Sequence, residues 1–517
     1  MAGFIDVLLR GLALTGQAVA IGGVVFVLVV LRARQDDSGA VRVWTLVAAG
    51  AAVVVLAQAG MLALLAGALD APPGTLTARL VATQYFRATG ARALAALVLV
   101  IAALTVRRAP RVGTWWPLLL GGATVMMISA AWTSHAAARL DHRAMLLALD
   151  ALHQVAASAW IGGLLCLLVV AFRRGPSPAP AAIVQRFSML ALVAVGVLVV
   201  AGGTLAVSYV DGLRALMGTA YGLMVTTKAV LLGGLLVLGA LNNRAVRRLH
   251  PDEPVTSLRL RRFVEVELGI GLTVLFAAAS LTSLPPAIDV VADRATPAEV
   301  AGQFVPRVPR LVSPPHEALP YDDPDAPRTD ADRAWSEYNH HISGLFVLLM
   351  GLLSLTELAG VAWARHWPLV FLGLAAFMLV RNDPGAWPLG PQGFWEGLAQ
   401  PSVLQHRIFV VLVIVFGLFE WMVRTGRLSA PRCALLFPLL CAVGGGLLLT
   451  HSHASLNLKT EFLMEVTHAP LGVLAVLVGW GRWLQLRLAA PEGRLSGRLA
   501  ASAMTVIGVL LLLYRES

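Results

Sequence analysis

Along this chain, apolar runs of roughly twenty residues, the length that spans a bilayer as a helix, alternate with short polar joints almost from end to end. They predict helices starting near residues 5, 43, 88, 115, 147, 184, 221, 262, 341, 367, 403, 433, 464 and 498. A transmembrane β-barrel would instead show short segments alternating apolar and polar positions. The first run, Gly11 to Leu31, is too long for a signal-peptide core and is read as a retained helix. The fold expected is all-α: a polytopic integral membrane protein of about 14 transmembrane helices. After SLPP, near residue 284, the apolar pattern stops. The stretch that includes VPRVPRLVSPPHEALPYDDPDAPRTD is rich in Pro and Asp and reads as an extended or loosely ordered linker. Three parts follow: an eight-helix domain over 1–284, a linker over 285–339 and a six-helix domain over 340–517.

Composition fits this picture. Of the 517 residues, 58% are hydrophobic and only 13% charged, against about 25% charged in soluble domains. The net charge of +11 does not point to nucleic acid. The excess arginine falls in alternate loops, as with Arg32, Arg34 and Arg42; Arg107, Arg108 and Arg111; or Arg424, Arg427 and Arg432. The positive-inside rule makes these loops cytoplasmic, which puts both termini and the linker on the opposite side.

Orientation sorts the twelve histidines. His135, His142, His153, His316, His340, His341, His406, His451, His453 and His468 fall on or near the outer face, and only His250 and His366 fall inside. Histidine tolerates interfaces, so decoration of loops is one explanation. Convergence of several helix ends on a metal or a haem is the other, since imidazole is the commonest metal ligand. The densest group lies in the C-terminal helices. His340 and His341 open the ninth, His406 the eleventh and His468 the thirteenth, while His451 and His453 close the twelfth. Met464 and His468, spaced i, i+4, share a helix face. Imidazole beside a thioether suits copper, although Met464 also reads as a core methionine.

The N-terminal half repeats part of this design. His135 in TSHAA matches His453 in HSHAS, and His153 in DALHQ matches His468 in EVTHAP, in the same orientation eight helices later. This suggests a parallel internal repeat. Asp150, three residues before His153, is a candidate to orient its imidazole. Lys228 lies two turns into an apolar helix, where a charge either snorkels or borders a hydrated path. Glu265 and Glu267 sit near Asn242, Asn243 and Arg244 in the expected packing, and Glu357 and Glu420 are candidates to extend a path. Cys166, Cys433 and Cys441 lie in or beside helices, with no CxxC, no CPC and no P-loop. That sets aside an ATP-driven metal pump.

The segment from His153 to Pro286 resembles the copper resistance protein D (CopD) family. The matching pieces are LHQVAASAWIGGL, TAYGLMVTTKAVLL followed by LGALNNR, and VEVELGIGL running to LTSLPP, with SHAA just before. They mark a core over 132–286. The part from YNHHISGLF to about Trp483 resembles the C-terminal extension of longer members. The resemblance implies a multi-pass protein of the bacterial inner membrane that handles copper, works beside a periplasmic copper-binding protein and moves the ion inward. It singles out His135, His153, Trp160, Lys228 and Glu267. The chain has no Met-rich MxxM array.

The expectation is therefore a transporter rather than an enzyme, embedded in the lipid bilayer with both termini periplasmic. The metal ligands expected are His135, His153, His340, His341, His406, His451, His453 and His468, with Lys228, Glu267 and Met464 along the path. Two alternatives concern the C-terminal helices. They form a b-type cytochrome with bis-histidine haem, for which facing histidines at matched depth are suited, or they are a docking module with no ion of their own.

Overall fold

The computed structural model describes residues 2–32, 38–69, 73–108, 113–172, 181–250, 257–319, 329–450 and 459–516. Among them the fold is all-helical, with no β-strand. Among the described residues thirteen helices are long and apolar enough to cross a membrane, and a shorter apolar helix covers Cys433–Leu448. The fourteen expected segments are all present. The chain is a multi-pass membrane protein that divides into two compact units, one of Met1–Arg294 and one of Ala295–Leu448 with Leu458–Ser517.

The first unit contains α1 (Ala2–Val25), α2 (Ser38–Ala68), α3 (Pro73–Ala82), α4 (Gln84–Val106), α5 (Trp116–Ala131) and the short α6 (His135–Ala138). Then come α7 (Arg143–Ala157), α8 (Gly163–Ala171), α9 (Ala181–Tyr209), α10 (Leu213–Gly218), α11 (Ala220–Val246) and α12 (Leu258–Leu281). A π-helical turn, Ser158–Gly162, joins α7 to α8. Such turns mark places where a helix is re-aimed, often at functional sites. The turn packs on α1 at backbone distance. A Cβ on Gly162 would lie 1.9 Å from the Ala18 carbonyl oxygen, and one on Gly22 would lie 2.2 Å from that of Ser158. Only glycine permits this approach, which is how small residues bring membrane helices together.

The second unit contains α13 (Pro297–Phe304), α14 (Asp330–Leu358), α15 (Val370–Arg381), α16 (Phe394–Leu398), α17 (Pro401–Arg424), α18 (Leu436–Leu448), α19 (Lys459–Arg487) and α20 (Glu492–Leu512). The segment read as a loose linker is partly ordered. Thr296 and Glu299 form a capping box that starts α13, and Thr329 and Asp332 form another that starts α14. The Glu299 carboxylate also takes Lys459 at 2.5 Å. That hydrogen bond, with those of Thr296, holds its pKa down to about 2. The Thr329 cap starts α14 well before the expected residue 341, and α19 starts at Lys459. His340, His341 and His468 therefore lie within helices instead of opening them.

Glu357 and Glu420 do not border a path in this structure. Glu420, fully buried, accepts from Arg424 Nε at 2.7 Å and from Arg482 Nη2 at 3.1 Å. Glu357 pairs with Arg424 and accepts from Trp367 Nε1 at 3.2 Å. Two carboxylates and two guanidiniums make a neutral network that ties α14, α17 and α19 together. In a low dielectric such groups persist only when paired.

Candidate functional site

Several polar residues in the apolar helices of the first unit meet around a cavity of about 450 Å³, whose lining includes His135, His153, Asp150 and Lys228 together with Gln17 and Arg92. Three helices are joined there by a directed chain of hydrogen bonds. Arg92 Nη2 on α4 donates to Gln17 Oε1 on α1 at 2.6 Å. Gln17 Nε2 donates to Gln154 Oε1 on α7 at 2.7 Å, and Gln154 Nε2 donates to Asp150 Oδ2 at 2.7 Å. Each member satisfies the next, which is the condition for polar groups to survive among apolar side chains.

The two histidines reach the cavity from different elements. His153 projects from α7, and its Nδ1 lies 3.3 Å from the Leu198 carbonyl oxygen on α9. A carbonyl only accepts, so this contact puts the proton on Nδ1 and leaves the Nε2 lone pair for a ligand. The orienting group is thus a backbone carbonyl and not Asp150, whose carboxylate is turned to Gln154. Gly202 on α9 makes room for the ring: a Cβ there would lie 2.8 Å from His153 Cε1.

His135, on α6, has Nε2 3.3 Å from the Leu281 carbonyl oxygen, which leaves Nδ1 as its free lone pair. Its ring sits edge-on to Tyr209 and Tyr221, with centroids 6.1 and 5.8 Å away. Burial holds this imidazole below its ordinary pKa of 6.5, so it is neutral at pH 7, the form that binds metals. A thioether is also at hand. Met61, buried on α2, lines the cavity and receives the Tyr85 hydroxyl at 3.6 Å.

The charges are unequal. Arg10 is held by Asp6 at 2.6 Å. Arg92 and Lys228 remain, and both line the same cavity as Asp150. Lys228 therefore borders a polar space instead of reaching for the membrane surface. Among the described residues no three His, Cys, Asp or Glu side chains stand close enough to enclose one ion. The cavity offers a loose set of soft and neutral donors beside a net positive wall, an arrangement that suits brief residence of an ion more than storage.

Trp160, in the π-helical turn, also lines this cavity. It is buried, and its Nε1 donates to Glu267 Oε1 at 2.8 Å. The other carboxylate oxygen accepts from Asn242 Nδ2 at 2.8 Å. Glu267 thus meets Asn242 as expected, whereas Glu265, expected near the same residues, pairs with Arg261 and Arg262 on its own helix.

In the second unit the expected histidines do not all meet. His340 and His468 face each other with ring centroids 6.0 Å apart. Each Nδ1 is 2.8 Å from the carbonyl oxygen four residues back, Ser336 and Met464, so both Nε2 lone pairs are free. Tyr514 stacks on His340 at 3.9 Å. His341 does something else: its Nδ1 accepts from the Arg310 backbone N–H at 2.7 Å and its Nε2 donates to the Tyr514 carbonyl at 2.8 Å. Both nitrogens serve the fold. His406 is half-exposed and its Nδ1 is 2.6 Å from Asp383 Oδ1, apart from the His340–His468 pair. Met464 shares the His468 helix face and gives it its backbone carbonyl. His451 and His453 lie outside the described residues.

Sequence reasoning passed over Met61, Arg92 and Gln17. The signal for two of them was a polar residue isolated in an apolar run, Gln17 in TGQAVA and Arg92 in TGARAL.

The comparisons with known proteins fall on this same unit. Residues 181–281 match the family model described as Copper resistance protein D. The Copper transport protein CutJ of Bacillus subtilis (strain 168) is 31% identical over 163 residues, which is 31% of this chain and 29% of that one. The chain thus matches under a third of that relative's length. No solved structure matches the chain. The matched family stretch holds α9, α11 and α12, the helices that carry Gly202, Lys228 and Glu267, and the likeness to the copper resistance protein D family lies in that stretch.

Proposed function

We propose that this protein binds copper in the first-unit cavity and carries it across the bacterial inner membrane toward the cytoplasm. The observation that carries the reading is the meeting of His135, His153, Met61 and Asp150 around one cavity, with an unprotonated nitrogen on each imidazole. Imidazole and thioether together favour copper, Cu(I) above all. The name of the Bacillus subtilis relative points to the same ion. The arginine-rich loops orient the unit so that the His135 end is periplasmic, with both termini on that side. A periplasmic copper-binding protein is the natural donor.

The His340–His468 pair is a second station in this reading. Two imidazoles with free Nε2 atoms and centroids 6.0 Å apart suit a two-coordinate ion with metal–nitrogen bonds of about 2 Å. His406, held by Asp383, and His341, held by backbone, stand outside that pair. Haem bound by the same two histidines is the competing outcome.

Lys228 sets how long the ion stays. A cation entering beside it meets a like charge, which weakens binding and speeds release, as a conducting site requires. Lys228→Met is expected to tighten copper binding about tenfold, equivalent to roughly 1.4 kcal/mol of repulsion removed, and to slow transport. Competition titration with a copper(I) chelator reads the affinity; unchanged affinity would separate Lys228 from the site. The test of the function itself is cellular. Cells expressing the protein should accumulate more copper than cells lacking it, and His153→Ala should erase most of the difference. Equal copper in all three would defeat the importer reading.

A further inference from the structure

The first unit holds a second cavity, of about 490 Å³, lined by Ser188, Asn242, Asn243, Arg244, Arg247 and Glu267 among others. It faces the arginine-rich end of α11, whereas the histidines line the first cavity. Only Trp160 and Leu235 belong to the walls of both. These two side chains, 3% and 2% exposed, are therefore the partition between the chambers.

Resting on the copper reading above, we infer that the two cavities are consecutive chambers of one cation path, that Trp160 is its gate, and that Glu267 is the cation station on the inner side. The Trp160 indole closes the passage and is pinned by its N–H to Glu267 Oε1. The same carboxylate is the only acidic side chain lining the second cavity among the described residues, and Asn242 holds its other oxygen. Its position lets one group do two things. While it accepts from Trp160 the gate is shut; when a cation arrives from the His153 side, the carboxylate exchanges the indole N–H for the ion and the ring is released. No bond other than the hydrogen bond changes. The π-helical turn supports the idea. Its wider winding at Ser158–Gly162 departs from the α-helical ladder on either side, and such turns re-pack more readily than regular helix. Leu235, from α11, completes the barrier as an apolar constriction, a common form of gate.

The experiment has two parts. In the first, Ser188→Cys places a thiol in the second cavity, and a membrane-impermeant cationic thiol reagent is added from either side of sealed vesicles. With Trp160 present, labelling is expected from the Arg244 side alone; with Trp160→Ala, from both sides. Unchanged sidedness in Trp160→Ala would overturn the partition, whether or not copper is the cargo. In the second part, copper(I) flux into chelator-loaded proteoliposomes is compared with copper binding by the purified chain. Glu267→Gln is expected to cut flux about tenfold, and Trp160→Ala to raise flux at least fivefold. Wild-type flux in Glu267→Gln would remove Glu267 from the path. A chain that binds no copper at all fails the proposed function, and the labelling result still decides the gate.

Discussion

The double substitution His135→Ala/His153→Ala is expected to weaken copper binding by about a hundredfold or more and to abolish transport, with the fold intact. Loss of groups that merely orient a metal ligand already costs 10–100-fold, and here two ligands go. The fold should survive because each ring makes a single hydrogen bond, to a backbone carbonyl at 3.3 Å in both cases, while the hydrogen-bond chain from Arg92 to Asp150 passes beside them. Gly202→Val tests the same site without touching a ligand. Its side chain would meet the His153 ring, displacing the imidazole, and binding should fall about tenfold while both histidines remain. The pH dependence has a definite sign. Burial lowers the His135 pKa, so protons compete with the metal only below the value for a free imidazole. Copper binding should stay near its neutral-pH level down to about pH 6.5 and decline beneath it. Affinity that already halves above pH 7 would show that His135 is not the ligand. Isothermal or chelator-competition titrations across pH 5–8 measure all of these.

The largest effect on stability is expected at Glu420. Glu420→Gln leaves Arg424 and Arg482 buried with Glu357 as their remaining countercharge, and breaking a buried pair in this way costs about 3–5 kcal/mol. Glu420 is fully buried and Arg482 nearly so, so water does not compensate. The apparent melting temperature in detergent should fall by several degrees. Arg482→Gln combined with Glu420→Gln restores neutrality and should recover part of the loss, since residues in one network do not act additively. A single variant as stable as the wild type would mean the network is not buried.

The sequence revealed the helices because each apolar run is long enough to span a bilayer as a helix, and a closed β-barrel, the other structure that satisfies its backbone there, would need shorter, alternating segments. It revealed less of where helices begin. Thr329 and Asp332 extend α14 toward its N-terminus by a capping box that lies within a Pro- and Asp-rich stretch, and composition alone reads that stretch as linker. His135, His153 and Lys228 were recognisable as polar groups at membrane depth. That they meet in one cavity depends on helices far apart in the chain, which spacing does not encode. His341 shows the reverse. Its residue type and position beside His340 suggest a ligand, yet both its nitrogens are taken by the backbone of Arg310 and Tyr514, partners no local pattern indicates. Asp150 likewise sits at the right spacing to orient His153 but turns to Gln154, because Gln154 is already linked through Gln17 to Arg92.

The central claim, that copper is the ion held by these imidazoles, is tested most directly by elemental analysis and an absorption spectrum of the same purified, copper-loaded sample after desalting. The account predicts near-stoichiometric copper and no Soret band. A Soret band, or a chain that emerges free of copper, would contradict it.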